Sequence, residues 1–285
     1  FERPQHLKRC LTSIAIQRDV IGKFEVVVAD DGSMDETFST IQRFSSSAEF
    51  PICFTTHKHD GYRLAQTRND GVIASCAPYL LFIDCDCILP PFHLATHLDH
   101  RRKECVIAGD CYRLSKEVSR KITCEDVRSG EFDYWVSARE RKRMKGKSFR
   151  SRIYNVLRLP MYPRLTGNDI GIFRSNFDSV NGFDEQFVGW GLEDRDLQRR
   201  LAMKGIITKS ILPWTKTFHL WHPPHHTFAR NCVGTINLEY FRNQLPNAKC
   251  RFGIAQRCQE DIRINNLTAR HAAQHGRRPK LRQAA

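Results

Sequence analysis

Four stretches of this 285-residue chain carry side chains whose types and spacing could do chemistry. The first is LLFIDCDCIL, residues 80–89, where an apolar run ends in alternating acids and thiols. At a strand end, residues two apart face the same side. Asp84 and Asp86 would then share one face, with Cys85 and Cys87 turned into the packing behind. Two carboxylates at the carboxyl edge of a sheet form a hard oxygen site for Mg²⁺ or Mn²⁺. Other readings stay open: turn-forming aspartates at a strand-to-loop junction, or Asp84 as a phosphatase nucleophile. A thiol metal site has no CxxC partner to complete it.

The second stretch is ADDGSMDET, residues 29–37. Asp30 or Asp31 at a strand-helix junction can accept from a uracil N–H or a ribose hydroxyl; ordinary helix capping by Asp31 and Ser33 explains the same residues. The third is GWGLEDRDL, residues 189–197. Glu193 and Asp194 fall in a first helical turn, where acids complement the helix dipole; a general base is the functional reading. The glycines beside Trp190 permit unusual backbone angles, and an aromatic ring beside a carboxylate suits sugar stacking. The fourth is FHLWHPPHH, residues 218–226. His219 and His222 are three apart, with His225 and His226 beyond, a density that can join a metal site. Isolated core or surface histidines are the alternative.

These residues need elements to place them. Leu7, Leu11 and Ile14 have helical spacing. Strands are expected over 24–30, 52–56, 79–84 and 105–110, and a helix over 62–76. Ser33 with Glu36 fits a capping box. This alternation predicts an α/β fold with a mixed, mostly parallel sheet flanked by helices. After about residue 112 the pattern loosens into a half built largely from loops. A helix from Leu192 to Lys204, stopped by Gly205, and a strand within 205–214 then follow.

Composition bounds the rest. A hydrophobic content of 41% supports a sizeable core. No apolar run is long enough to span a bilayer, and FERPQHLKRC at the start is not signal-like. Eleven cysteines without CxxC pairs read as buried, reduced thiols, which favours a cytoplasmic setting. One Asn-Leu-Thr sequon at Asn266 does not by itself argue for secretion. The formal charge of +14 suggests anionic partners, peripheral contact with an anionic membrane among them. Much of it sits in RERKRMKGKSFRSR, residues 139–152, whose plain reading is a solvated helix or loop. Residues 246–285 form a basic tail, disordered in part.

Taken together, these motifs resemble an inverting glycosyltransferase of the GT-A fold, family 2 type. The second half resembles the galactosyltransferase and N-acetylgalactosaminyltransferase branch that includes chondroitin synthases. FERPQHLKRCLTSI resembles the family's aromatic-x-Arg-Pro opening, and EVVVADDGSMDET its nucleotide-binding segment. GYRLAQTRNDGV resembles the helix whose Arg-Asn faces the diphosphate, and FIDCDC the DxD motif. VNGFDEQFVGWGLEDRDL resembles the acceptor-side motif, and FHLWHP the downstream metal histidines.

The resemblance implies one GT-A domain over 1–245, with a Rossmann-like nucleotide-sugar half (1–110) and an acceptor and catalytic half (111–245). It implies that Asp30 or Asp31 contacts the uracil of a UDP-sugar and that Arg68 lies near the diphosphate. Asp84 would bind donor sugar or ribose. Asp86 would ligate Mn²⁺ (or Mg²⁺), with His219 or His222 completing the shell. Asp194 would be the catalytic base, Glu193 would bind acceptor or donor, and Trp190 would line the sugar site. The acceptor would be a glycan, for which the basic surface allows an anionic one. The resemblance also implies an apolar strand ahead of the aromatic-x-Arg-Pro element; this chain begins after that point. Two rivals remain. FIDCDCIL resembles a haloacid-dehalogenase phosphatase signature with Asp84 as nucleophile, although that signature continues with small residues rather than Cys87 and Ile88. The basic stretch could bind nucleic acid, but no aromatic-interleaved motif accompanies it.

Overall fold

A computed structural model describes residues 1–20, 23–159, 161–224, 227–228, 234–244 and 247–268. Ten strands run through these residues: β1 (Val26–Asp30), β2 (Ile52–Thr56), β3 (Tyr79–Ile83), β4 (Cys87–Ile88), β5 (Cys105–Ala108), β6 (Cys111–Arg113), β7 (Asp169–Phe173), β8 (Ile207–Ser210), β9 (Thr217–His219) and β10 (Arg263–Asn266). The helices of the first half are α1 (Pro4–Ala15), α2 (Thr37–Ser45), α3 (Leu64–Ala74) and α4 (His93–His100). Those that follow are α5 (Lys116–Lys121), α6 (Cys124–Ser129), α7 (Ala138–Leu157), α8 (Arg174–Ser179), α9 (Glu193–Met203) and α10 (Ile236–Asn243).

The strand order is β1-β2-β10 in one sheet, β3-β7-β5-β8 in a second and β4-β9-β6 in a third. The class is α/β, as the alternation predicted. The expected parallel majority is not found: only β1–β2, β5–β8 and β6–β9 pair parallel, against four antiparallel pairings. The excess arises because β7 and β9 return against β3 and β4, and β10 folds back along β2.

The β-branched run of β1 is apolar on both faces, which suits a strand covered by helices on each side. Val26 and Val28 pack with Leu7, Leu11 and Ile41 of α1 and α2. Val27 and Ala29 face α3, where Gly71 lets the backbones approach; a Cβ there would stand 3.2 Å from Ala29 Cβ. A second cluster around Val72, Leu80, Ile170, Phe183 and Leu197 locks α3, β3, β7 and α9 together.

Two local expectations fail. Ser33 and Glu36 form no capping box, because Asp30 takes both the Ser33 N–H (2.8 Å) and hydroxyl (2.5 Å). Asp35 instead accepts from Thr37 N at the start of α2. The half expected to be loop-built is also richer in helix, with side-chain caps from Ser115, Thr123 and Ser137 opening α5, α6 and α7. The basic stretch is the middle of α7, whose buried side chains are Met144 and Ser151, so it is a solvated helix. Part of the expected tail belongs to the folded body: β10 adds to β2, and Arg257 pairs with buried Asp70 at 2.6 Å. Residues 269–285 lie outside the described residues, as do His225 and His226. Among the described residues, no helix is long and apolar enough to cross a membrane.

Candidate active site

The carboxyl end of β3 divides the two aspartates. The strand stops at Ile83, and Cys87 N–H donates to the Asp84 carbonyl at 3.0 Å, closing a turn. Strand alternation therefore does not carry through residues 84–86, and the pair does not act as one face. Asp84 meets Arg68 Nη2 at 3.1 Å. Asp86 turns toward β9, because the β4–β9 register sets Cys87 opposite His219. Leu220 N–H donates to the Asp86 carbonyl at 2.8 Å and fixes that approach.

The Asp86 carboxylate is ringed by His222 Nε2 at 3.2 Å, His219 Nε2 at 3.5 Å and Arg3 Nη1 at 2.8 Å. Burial alone would raise its pKa, but His222, His219 and Arg3 pull it down to about 2. Burial would lower His222, but Asp86 holds it above its usual value. The ligand atoms of Asp86, His219 and His222 lie within 4.8 Å of one another, a spacing that one cation can bridge. Two imidazoles and one carboxylate fit Mn²⁺ better than Mg²⁺, which prefers oxygen donors. Cys85 and Cys87 take no part: burial pushes the Cys85 thiol up to about 12, and Cys87 is fully buried.

Opposite this group lies the start of α9. Gly189, Gly191 and Leu192 all have positive φ (80°, 98° and 78°), a left-handed path that glycine permits and leucine adopts only under constraint. That path delivers Glu193 and Asp194 together into the site. Arg68 reaches Glu193 Oε1 at 3.1 Å, Asp84 at 3.1 Å and the Gly167 carbonyl at 2.9 Å. A Cβ on Gly167 would sit 2.3 Å from Arg68 Nη2, so a larger residue there would displace the guanidinium. Asp194 Oδ2 accepts from Gly167 N–H at 3.1 Å, and Oδ1 from Arg195 N–H at 2.7 Å.

One cation thus faces a crowd of acids. Burial and the neighbouring Asp194 raise Glu193 to about 7, despite Arg68. Burial likewise raises Asp194 against the opposing pull of Arg68 and the two backbone N–H donors. Both carboxyl groups are therefore held above their usual values. Trp190 stands beside it, edge-on to Phe228 at 4.6 Å.

Asp30 and Asp31 also part ways. Asp30 is committed to the turn through Ser33 and Thr56. Asp31 faces the cavity and accepts from His57 Nε2 (2.9 Å) and Arg63 N–H (3.1 Å). His57 in turn meets Asp70 at 2.8 Å. Burial opposes its charge, but Asp31 and Asp70 raise it to about 9. A cavity of about 2050 Å³ opens onto Asp31, Asp84, Asp86, Trp190, Glu193, Asp194, His219 and His222, with Arg68 in its wall and Asp30 outside it.

Sequence reasoning missed two members. Arg3 lies within the opening motif with nothing to mark it as a site residue, and His57 carries no motif at all. Asn69, expected to face a diphosphate beside Arg68, turns away to bind the Phe183 backbone in both directions (2.9 and 3.0 Å). Among the described residues, a second group, His93, His97 and Asp169, also clusters. It is fully buried and ties α4 to β7, with His97 Nε2 2.9 Å from Asp169. Burial would raise Asp169, but His93 and His97 hold it below the usual carboxylate range.

The fold and this cavity define an α/β protein with a deep, acid-lined site at the ends of its strands, and sequence comparison names its family. Residues 1–179 match Glycosyl transferase family 2, and residues 155–225 match the N-terminal domain of galactosyltransferase. The chain belongs to glycosyl transferase family 2. It is 30% identical over 254 residues to a validoxylamine A glucosyltransferase of Streptomyces hygroscopicus, covering 84% of this chain and 57% of that protein. The chain thus spans just over half of that relative's length. Its fold is shared by a mannosyltransferase of Pyrobaculum calidifontis in complex with GDP-Man and Mn²⁺ (TM-score 0.52, 17% identity, 74% of this chain and 52% of the other). S. aureus TarS in complex with UDP-GlcNAc shares it too (TM-score 0.51, 15% identity, 77% of this chain and 56% of the other).

Proposed function

We propose that this chain transfers a hexose or N-acetylhexosamine from a UDP-sugar to a glycan hydroxyl, with inversion and with a divalent cation. The observation that carries the reading is a single cavity at the carboxyl ends of β1 and β3. It joins a carboxylate pair with raised pKa values to an aspartate–histidine cluster of metal-binding spacing. Family membership argues against the phosphatase and nucleic-acid readings.

The roles follow from position. Asp31, fixed by charged His57, accepts from the uracil or ribose. Asp84 holds donor sugar or ribose while Arg68 orients it, and Trp190 offers a stacking face. Asp86, His219 and His222 hold Mn²⁺; when bound, it supplies Lewis-acid stabilisation of the charge on the departing diphosphate. Asp194 takes the proton from the acceptor hydroxyl as the new C1–O bond forms on the face opposite the breaking C1–O bond to UDP. Glu193, bridged to Arg68, binds acceptor or donor beside it. Arg113, Lys147 and Arg164 in the cavity wall support an anionic glycan acceptor.

The resemblance of the nucleotide segment and of the galactosyltransferase-like half favours UDP over GDP. A screen of UDP- and GDP-sugars with Mn²⁺ tests this. Nucleotide release from a UDP-sugar, with an inverted product anomer by NMR, is the expected result. Release from GDP-sugars alone would refute the donor, and a retained anomer would refute the single displacement.

A further inference from the structure

Outside the acid cluster, α4 and β7 bring three polar side chains together in the core. His93 and His97 lie one turn apart on α4, Asp169 opens β7, and the three are 0%, 1% and 0% exposed. His97 Nε2 stands 2.9 Å from Asp169 Oδ1, and His93 Nε2 stands 3.4 Å from Oδ2. At those separations hydrogen bonds are expected, yet none of these four atoms has a hydrogen-bond partner among the described residues. Native interiors leave few such atoms, and here they meet at one point. Room for them is built into the backbone. A Cβ on Gly109 would overlap the Asp169 carboxylate, and one on Gly171 would overlap the Tyr79 hydroxyl and stand 2.7 Å from His97 Nδ1.

We infer that His93, His97 and Asp169 bind a structural Zn²⁺, separate from the active-site cation, which pins α4 to β7 behind the loop that carries Gly167. The ligand atoms of the three residues lie within 4.8 Å of one another. Histidines four apart on one helix face can share an ion. His93 Nδ1 lies 2.9 Å from Thr215 Oγ1. With the Nδ1 proton given to that hydroxyl, Nε2 turns a lone pair toward Asp169, the outer bond that fixes a metal-binding imidazole. A lone pair facing a carboxylate calls for a cation between them. One ion meets both Nε2 atoms and both Asp169 oxygens at once, whereas a water has only two protons to give. Imidazole donors favour zinc over magnesium or calcium. All four donor atoms come from the chain, the closed set of a structural site.

The ligands reach the active site through the backbone. Asp169 N–H donates to the Thr166 carbonyl at 3.3 Å, the Thr166 hydroxyl to the Gly109 carbonyl at 3.1 Å, and Gly109 N–H to the Asp169 carbonyl at 2.8 Å. Between Thr166 and Asp169 lies Gly167, which accepts from Arg68 and donates to Asp194. The ion therefore positions that loop from behind and touches no reacting atom.

The test starts from the chain carrying His219→Ala and His222→Ala, which removes both imidazoles of the active-site group and so separates this inference from the proposed transfer. Refolded with Zn²⁺ and gel-filtered, that protein should retain about one Zn²⁺ per chain by mass spectrometry. X-ray absorption at the zinc edge should show two imidazoles at about 2.0–2.1 Å and no sulfur. Zn²⁺ should raise its Tm by at least about 5 °C. Adding Asp169→Asn or His97→Gln should cut Zn²⁺ affinity at least about tenfold and remove the Tm shift. No retained Zn²⁺ in the starting protein would overturn the inference. So would equal retention after Asp169→Asn and His97→Gln, which would mean surface binding only, or sulfur among the ligands. If neither added substitution folds, the absorption spectrum of the starting protein decides: two imidazoles without sulfur support the inference, and any other ligand set overturns it.

Discussion

Glu193→Gln offers the sharpest test of the acid cluster, because the structure gives its sign and an order of magnitude. Glu193 is buried, 3.1 Å from Arg68, and raised from 4.5 to about 7 by burial and by Asp194. A carboxyl whose folded pKa is raised stabilises the fold while protonated. Its contribution is complete below about 4.5 and lost as pH rises through about 7. At about 1.4 kcal/mol per pH unit, the loss amounts to about 3 kcal/mol by pH 8. Glutamine mimics the protonated acid, keeps an oxygen for Arg68 Nη1 to donate to, and cannot ionise. In metal-free protein, the variant should match wild type within about 1 kcal/mol at pH 5 and exceed it by up to about 3 kcal/mol at pH 8. Urea unfolding of both proteins at the two pH values reads this difference, in which other titrating groups largely cancel. A difference that stays constant between pH 5 and pH 8 would refute the raised pKa of Glu193; it would mean that Arg68 alone keeps Glu193 ionised.

Three further outcomes follow from the same geometry. Asp194→Asn should lower kcat at least about 100-fold while leaving UDP affinity within about twofold, read by single-turnover kinetics and calorimetry; unchanged turnover would remove Asp194 from the base role. EDTA should abolish transfer and Mn²⁺ restore it, and full activity in protein shown metal-free by mass spectrometry would contradict the cation's part. Asp196→Ala should cost about 3–5 kcal/mol in urea unfolding, because Arg200, bonded to Asp196 at 2.6 Å and to the Val180 and Gly182 carbonyls, is buried; a loss below about 1 kcal/mol would mean that Arg200 finds another partner.

Much of the site was legible because its residues sit in short, dense motifs. GWGLEDRDL announced both a constrained turn and an acid pair, and both are present. The early strands and α3 were readable from local hydrophobic runs. What escaped depends on contacts between distant segments. Arg3 reaches Asp86 across 83 residues of chain, and His57 gains its charge from Asp31 and Asp70 on different elements. Arg68 was placed beside a diphosphate from its motif, yet its hydrogen bonds run to Asp84, Glu193 and Gly167. The parallel-sheet expectation extended a local alternation to β7 and β10, whose directions are set by long connections.

The division between Asp84 and Asp86, which spacing alone left open, becomes an experiment. Their partners are disjoint: Arg68 for Asp84, and Arg3, His219 and His222 for Asp86. The Asp84 side chain is 35% exposed and that of Asp86 5%, so Asp84 retains a face toward the cavity while Asp86 is enclosed by its cluster. Asp86→Asn removes the one anionic ligand from the group. It should weaken Mn²⁺ binding, read as free Mn²⁺ by electron paramagnetic resonance, by more than the roughly 10–100-fold typical of losing an outer partner. Asp84→Asn leaves that group intact. It should keep Mn²⁺ affinity within about threefold and instead weaken nucleotide-sugar binding, because its loss removes a cavity-facing acceptor and releases Arg68. Equal loss of Mn²⁺ affinity in both variants would show that the two carboxylates act on the cation together.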